Sequence, residues 1–205
     1  MQNEVLNILK KAGAALSNDH FVGVSGLHFD TYINKDALIM HPLEVYKIGK
    51  LFAEKYKNDE IDVVVAPALG GIIFAQWTAY HLSLLTNKEV LAIYTEKTSD
   101  KDQVFTRGYD AQVFGKRVLV LEDVISTGGS VLKVINAVKK AGGEVVGVSV
   151  MVNKDPQKLN SETFGAPLYA LCDLPIVLYT EDECPLCKAG IPINTTVGHG
   201  KYVQK

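Results

Sequence analysis

Four runs rich in valine, leucine and isoleucine, residues 61–66, 90–94, 117–121 and 145–152, show no clean alternation with polar residues. A strand with one wet face alternates, whereas a strand covered on both faces does not. Helical stretches separate the runs: Ile72 to Leu84 follows the first, and Ser130 to Ala141 follows the third and stops at Gly142-Gly143. This order predicts an α/β fold, a parallel sheet flanked by helices with right-handed crossovers. Ligands of such sheets sit beyond the carboxyl ends of the strands, so a site is expected among residues 67–71, 95–110, 122–130 and 153–155.

The 205 residues suit one domain, 1–205, with a core over about 42–172. Residues 2–12 read as an amphipathic helix, and Pro42 opens another in which Val45, Ile48, Phe52 and Tyr56 recur at helical spacing. Two segments stand outside the alternation: HFVGVSGLHFDTYINKDAL (20–38) and the tail after Cys172. Both are expected as additions around the core. APALGGIIFAQWTAYHLSLL (66–85) has the length of a membrane span, but Pro67, Gly70-Gly71, Gln76 and His81 interrupt it. A buried strand, a tight loop and a packed helix account for it, and no membrane is expected as a partner.

With 21 basic against 23 acidic residues and a formal charge of -2, the chain has no general attraction for nucleic acid. Its opening, MQNEVLNILKK, is too polar for a signal peptide. Three cysteines, Cys172, Cys184 and Cys187, make no disulfide framework and suit a reducing cytoplasm.

The most informative stretch is VLVLEDVISTGGS, residues 118–130. A strand delivers Glu122 and Asp123 to the sheet edge through Val124 and Ile125, and Ser126-Thr127-Gly128-Gly129-Ser130 turns into a helix. Glycines let N–H groups converge, hydroxyls add donors, and a helix N-terminus carries about half a positive charge, so the loop suits a phosphate monoester. Two carboxylates nearby would repel that phosphate unless a polyol stood between. Together they suit a ribose 5-phosphate, with its diol on the acids. The plainer alternative is that an acid merely caps the following helix. No G-x-x-x-x-G-K-[ST] and no helix-opening G-x-G-x-x-G is present.

LEDVISTGGS resembles the phosphoribosyl pyrophosphate (PRPP) signature of type I phosphoribosyltransferases, with Glu122 in place of the commoner first Asp. HFVGVSGLHFDTYINKDAL resembles the N-terminal hood of the orotate phosphoribosyltransferases, and VVVAPALGGI their pyrophosphate loop. ECPLCKAGIP is similar to the tail of a bacterial subgroup of them. The resemblance runs from about Gly13 to about Pro192. It implies a hood formed by about 13–40 together with the tail, and Mg2+-dependent transfer of ribose 5-phosphate from PRPP to orotate by a homodimer with shared sites. Mg2+ would be held mainly by PRPP oxygens and water. By position, Glu122 and Asp123 would take the ribose hydroxyls, residues Ser126 to Ser130 the 5-phosphate, and Ala68, Leu69, Gly70 and Gly71 the pyrophosphate. Ser126 would also touch the base. The polar stretch TEKTSDKDQVFTRGYD (95–110) would be a lid supplying Lys97 and Arg107 to the leaving group; the plainer alternative is a solvated surface loop, which suits Lys101 better than a catalytic role.

Several positions depart from that pattern. Where relatives carry Asp-Arg after the long strand, this chain has Asn153-Lys154, and a lysine can neutralise orotate's carboxylate but not grip it with a fork. His28 stands at a hood position often held by lysine and is expected beside the base. Tyr32 is a candidate for stacking on it, with Ile33 at the place of a second aromatic, and Lys35 is a further cation or a surface lysine. These departures keep open a purine or other salvage base, and a PRPP-sensing regulator is a rival of another class. Cys184-Pro-Leu-Cys187 is half a zinc site at most. A second subunit or His199 would have to complete it, so two reduced structural thiols and no protein-held metal are expected.

Overall fold

The structure, a computed structural model, describes residues 1–23 and 25–202; Val24 of the expected hood and the last three residues of the expected domain lie outside it. Six strands form one sheet, in the order β5-β4-β3-β6-β7-β8. They are β3 (Val63–Pro67), β4 (Leu91–Lys97), β5 (Gln103–Val104), β6 (Arg117–Ile125), β7 (Glu144–Asn153) and β8 (Leu168–Asp173). All pairings are parallel except that of β5 with β4. The expected parallel sheet is therefore present, with an antiparallel edge and an eighth strand at the end of the expected core that the sequence reading did not name.

Both faces of the sheet are covered, which is why its strands do not alternate. Val64, Ala66, Leu119, Leu121 and Met151 face one apolar layer. Val63, Val65, Val118, Val120, Val148 and Val150 face the other. The first layer is closed by α1 (Gln2–Lys11), α3 (Pro42–Tyr56) and α4 (Gly70–Thr86). Val45, Ile48, Phe52 and Tyr56 of α3 are all buried, as their spacing predicts. Gly49 permits a close crossing of α3 on α4: a Cβ there would lie 2.4 Å from Cβ of Trp77. The second layer is closed largely by α6 (Gly129–Lys140), with α5 (Tyr109–Val113) and α7 (Ser161–Phe164) at its margins. Residues 66–85 are the end of β3, a turn and most of α4, and no helix among the described residues is long and apolar enough to cross a membrane.

The hood is a hairpin of β1 (Ala15–Val22) and β2 (His28–Ile33), followed by the short α2 (Lys35–Ile39). The tail, including the short α8 (Pro185–Lys188), wraps this hairpin. Tyr179 pairs with the main chain of His28, Asn194 N–H donates to His20 O, and His199 N–H donates to Val22 O.

Candidate functional site

Two strand-to-helix turns lie side by side at the carboxyl edge, because β3 and β6 are parallel neighbours. The turn after β3 leads into α4 and the turn after β6 into α6. Among the described residues no side chain caps either helix. Their first-turn N–H groups are thus available to a ligand, and the two positive helix ends converge on one place.

The acids stand between these ends. β6 runs on through Glu122 and Asp123 to Ile125, beyond the expected limit, and both carboxylates are buried, 8% and 4% exposed. Neither caps α6, whose N-cap is Gly128 with φ 72°. Asp123 Oδ1 accepts from Val124 N–H at 2.6 Å, and Glu122 Oε1 accepts from Asp123 N–H at 3.0 Å. Asp123 Oδ2 lies 3.2 Å from Lys35 Nζ but receives no well-directed hydrogen bond. Burial, and then the adjacent Asp123, push the Glu122 carboxyl well above the ordinary carboxylate range. Burial pulls Lys35 down, yet Asp123, Glu122 and Asp36 outweigh it, and its ammonium is held above the usual lysine value.

The β6–α6 turn opens a hollow of 210 Å³ lined by Glu122, Val124, Ile125, residues 126–130 and Val131. Ser126, Thr127 and Ser130 are exposed, so their hydroxyls are free to serve a ligand. Gly128 is required twice over: its φ is left-handed, and a Cβ would meet the Phe164 ring at 2.9 Å. In the β3–α4 turn the Ala68–Leu69 peptide is cis, Leu69 is exposed, and Ala68 N–H donates to Thr95 O. A Cβ on Gly70 would lie 2.2 Å from Asp123 Oδ2 and 2.8 Å from Lys35 Nζ, so this turn touches the acid pair directly.

The second cation is Lys154, just past β7. Its Nζ lies 5.6 Å from the Phe29 ring centroid and 5.9 Å from that of Tyr32. Burial lowers its ammonium, partly opposed by Asp123. Asn153 faces away from this space: it is buried, its Nδ2 donates to Leu159 O, and its Oδ1 accepts from Asp155 N–H. Tyr32 is half-buried against Phe21 and Phe29, its ring 13° from parallel with Phe29. The aromatic pair beside Lys154 is thus Tyr32 with Phe29, while Ile33 belongs to the core. Phe29 was missed because the sequence reading took Ile33, the residue after Tyr32, for the second position.

The candidate lid is an antiparallel hairpin, with Thr98 N–H donating to Asp102 O across its turn. Thr95 Oγ1 anchors Gln103 beneath it at 2.7 Å. Lys97 ends β4 and is exposed, and Arg107 Nε binds Glu96 Oε1 at 3.0 Å. Lys101 sits in the turn, its carbonyl accepting from Lys133 Nζ. Among the described residues none of these cations pairs with Glu122 or Asp123.

His28 requires a correction. It is 2% exposed, and its Nδ1 lies 2.7 Å from His20 Nε2 and 3.3 Å from Cys187 Sγ. Its ring is engaged with that cluster, so it is Phe29, the next residue, that flanks Lys154.

Sequence comparison names the family these features belong to. The family described as phosphoribosyl transferase domain matches residues 34–164, the segment carrying both turns and the acid pair. Over 192 residues, 94% of this chain and 95% of the relative, the chain is 38% identical to the orotate phosphoribosyltransferase of Caldanaerobacter subterraneus. The chain belongs to the orotate phosphoribosyltransferase family. The Thermus thermophilus orotate phosphoribosyltransferase is 33% identical over 93% of this chain and 98% of its own. The solved Mycobacterium tuberculosis orotate phosphoribosyltransferase shares the fold, with a TM-score of 0.67 at 24% identity, covering 83% of this chain and 96% of that one.

Proposed function

We infer that the chain is an orotate phosphoribosyltransferase, making orotidine 5'-monophosphate and pyrophosphate from orotate and PRPP in pyrimidine biosynthesis. The observation that carries the reading is the buried Glu122–Asp123 pair between two uncapped helix N-termini, in a chain of this family. Only a ligand with anionic groups at both ends and hydroxyls between suits that sequence of charges.

In this reading Glu122 and Asp123 accept from the ribose hydroxyls, residues 126–130 hold the 5-phosphate, and N–H groups of the Ala68–Gly71 turn meet the pyrophosphate. Orotate N1 attacks the ribose C1 as the C1–O bond to pyrophosphate breaks, and the N1 proton is released. Positive charge grows on the sugar, beside the acids, and negative charge on the leaving group, which the helix ends face and which the lid cations Lys97 and Arg107, the latter released from Glu96, would meet as the lid closes. Lys154 neutralises the orotate carboxylate, Tyr32 and Phe29 flank the ring, and Ser126 reaches the base. Closing the lid keeps water from the reacting carbon.

The site also fits Mg2+ held through substrate. Asp123 Oδ2 is a buried oxygen without a directed hydrogen bond, and the acid pair offers hard oxygens but no complete cage. Bound to PRPP, Mg2+ would supply charge neutralisation on the pyrophosphate oxygens.

A homodimer with shared sites is part of the same reading. Tyr46, Trp77, Tyr80 and His81 form one aromatic cluster across α3 and α4, and Leu43, Tyr80 and Leu84 leave 75%, 50% and 64% of their surface exposed there. The three cysteines are free thiols, which suits the reducing cytoplasm.

The deciding experiment follows orotate absorbance with PRPP and Mg2+, with uracil, adenine, hypoxanthine, guanine and xanthine offered in parallel. Orotate consumption with stoichiometric pyrophosphate release is expected. Turnover of a purine instead would keep the PRPP cradle and reject the base assignment, and PRPP binding without turnover of any base would reject the enzyme.

A further inference from the structure

Four ligating side chains from opposite ends of the chain meet where the tail crosses the hood. His20 comes from β1, His28 from β2, and Cys184 and Cys187 from the start and third residue of the α8 turn. One ring nitrogen from each histidine and the two Sγ atoms all lie within 4.8 Å of one another. From His20 Nε2 the sulfurs are 3.8 Å (Cys184) and 3.6 Å (Cys187) away, and from His28 Nδ1 to Cys187 Sγ is 3.3 Å. Tetrahedral zinc, with Zn–N of ~2.0–2.1 Å and Zn–S of ~2.3 Å, separates neighbouring ligand atoms by ~3.3–3.8 Å. The sulfur–nitrogen distances fall in that range, and the imidazole pair, at 2.7 Å, is tighter.

The surroundings orient the donors inward. His20 Nδ1 is 2.7 Å from the Ile191 carbonyl, which can only accept, so Nδ1 carries the proton and Nε2 presents its lone pair to the cluster. The His28 main chain is pinned to Tyr179 in both directions, and Cys184 N–H donates to Thr180 O. His20, His28 and Cys184 are 1%, 2% and 0% exposed. His199, the histidine of the tail, lies outside the group, its ring tilted at 45° against Tyr202 with centroids 4.6 Å apart.

We propose that His20, His28, Cys184 and Cys187 bind one Zn2+ in a closed structural site that staples the hood hairpin to the C-terminal tail. Two thiolates and two neutral imidazoles balance the dication, so the buried centre carries no net charge. The soft sulfur and nitrogen donors separate it from Mg2+, which takes oxygen ligands. Four protein ligands leave no open position, so the metal does no chemistry and acts through shape. His28 immediately precedes Phe29, so the metal would fix the strand that carries the aromatic face beside Lys154. The metal site does not depend on which base is the substrate.

The test is the metal content of the full chain, purified in reducing buffer without a metal-affinity step. About one zinc per chain is expected, unchanged in Cys172→Ala and near zero in Cys187→Ser and His20→Ala. Since those last two variants can lose their fold with the metal, the wild-type chain is also stripped and titrated with Co2+. Tetrahedral d–d bands and a thiolate-to-cobalt charge-transfer band at one equivalent are the expected spectrum. Reduced, folded protein that takes up neither Zn2+ nor Co2+ overturns the proposal, as does a cobalt spectrum without thiolate charge transfer. A Cys184–Cys187 disulfide in freshly isolated, metal-free protein would overturn it too.

Discussion

Lys35 Nζ lies 3.2 Å from Asp123 Oδ2, so the hood itself supplies the counter-charge to the buried acid pair. Lys35 is 39% exposed, and solvent screening makes the pair a modest contributor to stability. Its greater effect is on a multiply anionic ligand, which an uncompensated Asp123 carboxylate would repel. Lys35→Met is expected to raise the KM for PRPP by about 10- to 100-fold, the ~1.5–3 kcal/mol of a charged contact, while Lys35→Arg retains most of the affinity. Initial rates over a PRPP titration check this, and an unchanged KM in the methionine variant would show Lys35 to be a bystander.

Gly70 is expected to tolerate no side chain without loss of activity. An added methyl group would stand 2.2 Å from Asp123 Oδ2 and 2.8 Å from Lys35 Nζ, and both of those are side-chain ends able to swing aside. Gly70→Ala should therefore fold, with little change in thermal midpoint, yet lose at least tenfold in kcat/KM for PRPP because the displaced carboxylate no longer meets the ribose. Loss of folding in parallel with activity would place the effect in the scaffold.

Lys154→Ala should raise the KM for orotate by about 10- to 100-fold and the KM for PRPP much less, since only the base offers a carboxylate. Burial lowers the Lys154 ammonium, so it loses its charge at a lower pH than an ordinary lysine. The wild-type KM for orotate is accordingly expected to climb on the alkaline side, and the alanine variant to lack that climb. Equal effects on both substrates would remove Lys154 from the base pocket.

Much of this site was legible because its parts are contiguous. The acids, the hydroxyl-glycine loop and the first two residues of the helix that follows occupy nine consecutive positions, Glu122 to Ser130, and local chemistry is enough to read them. Strands buried on both faces announced the sheet in the same way. The lid hairpin was hidden because β5 has two residues, too few to show a period, and β8 because only Leu171 and Cys172 in it are buried. Lys35 read as a further cation or a surface lysine until α2 set it against Asp123. The His20–Cys184 pairing joins residues 164 apart, which no spacing rule reaches, and Cys184 with Cys187 alone looked incomplete.

Glu122 should make the ligand-free protein less stable as pH rises. Its carboxyl is held well above the ordinary range by burial and by the adjacent Asp123, so the folded chain keeps a proton that the unfolded chain has given up. The stabilisation is complete below the ordinary carboxylate value of about 4.3 and is lost as pH climbs through the raised folded value. Glu122→Gln cannot ionise and should escape that loss. From about pH 4 to pH 8 the wild-type Tm should fall relative to the glutamine variant, by about 2–4 °C for each kcal/mol in a chain of this size. PRPP affinity should move the other way, because the amide replaces an anionic acceptor for a ribose hydroxyl. Melting curves across pH, run with and without PRPP, separate the two effects. Parallel Tm profiles for the two proteins would mean that Glu122 is ionised in the fold without cost, and that the acid pair is not held under electrostatic tension.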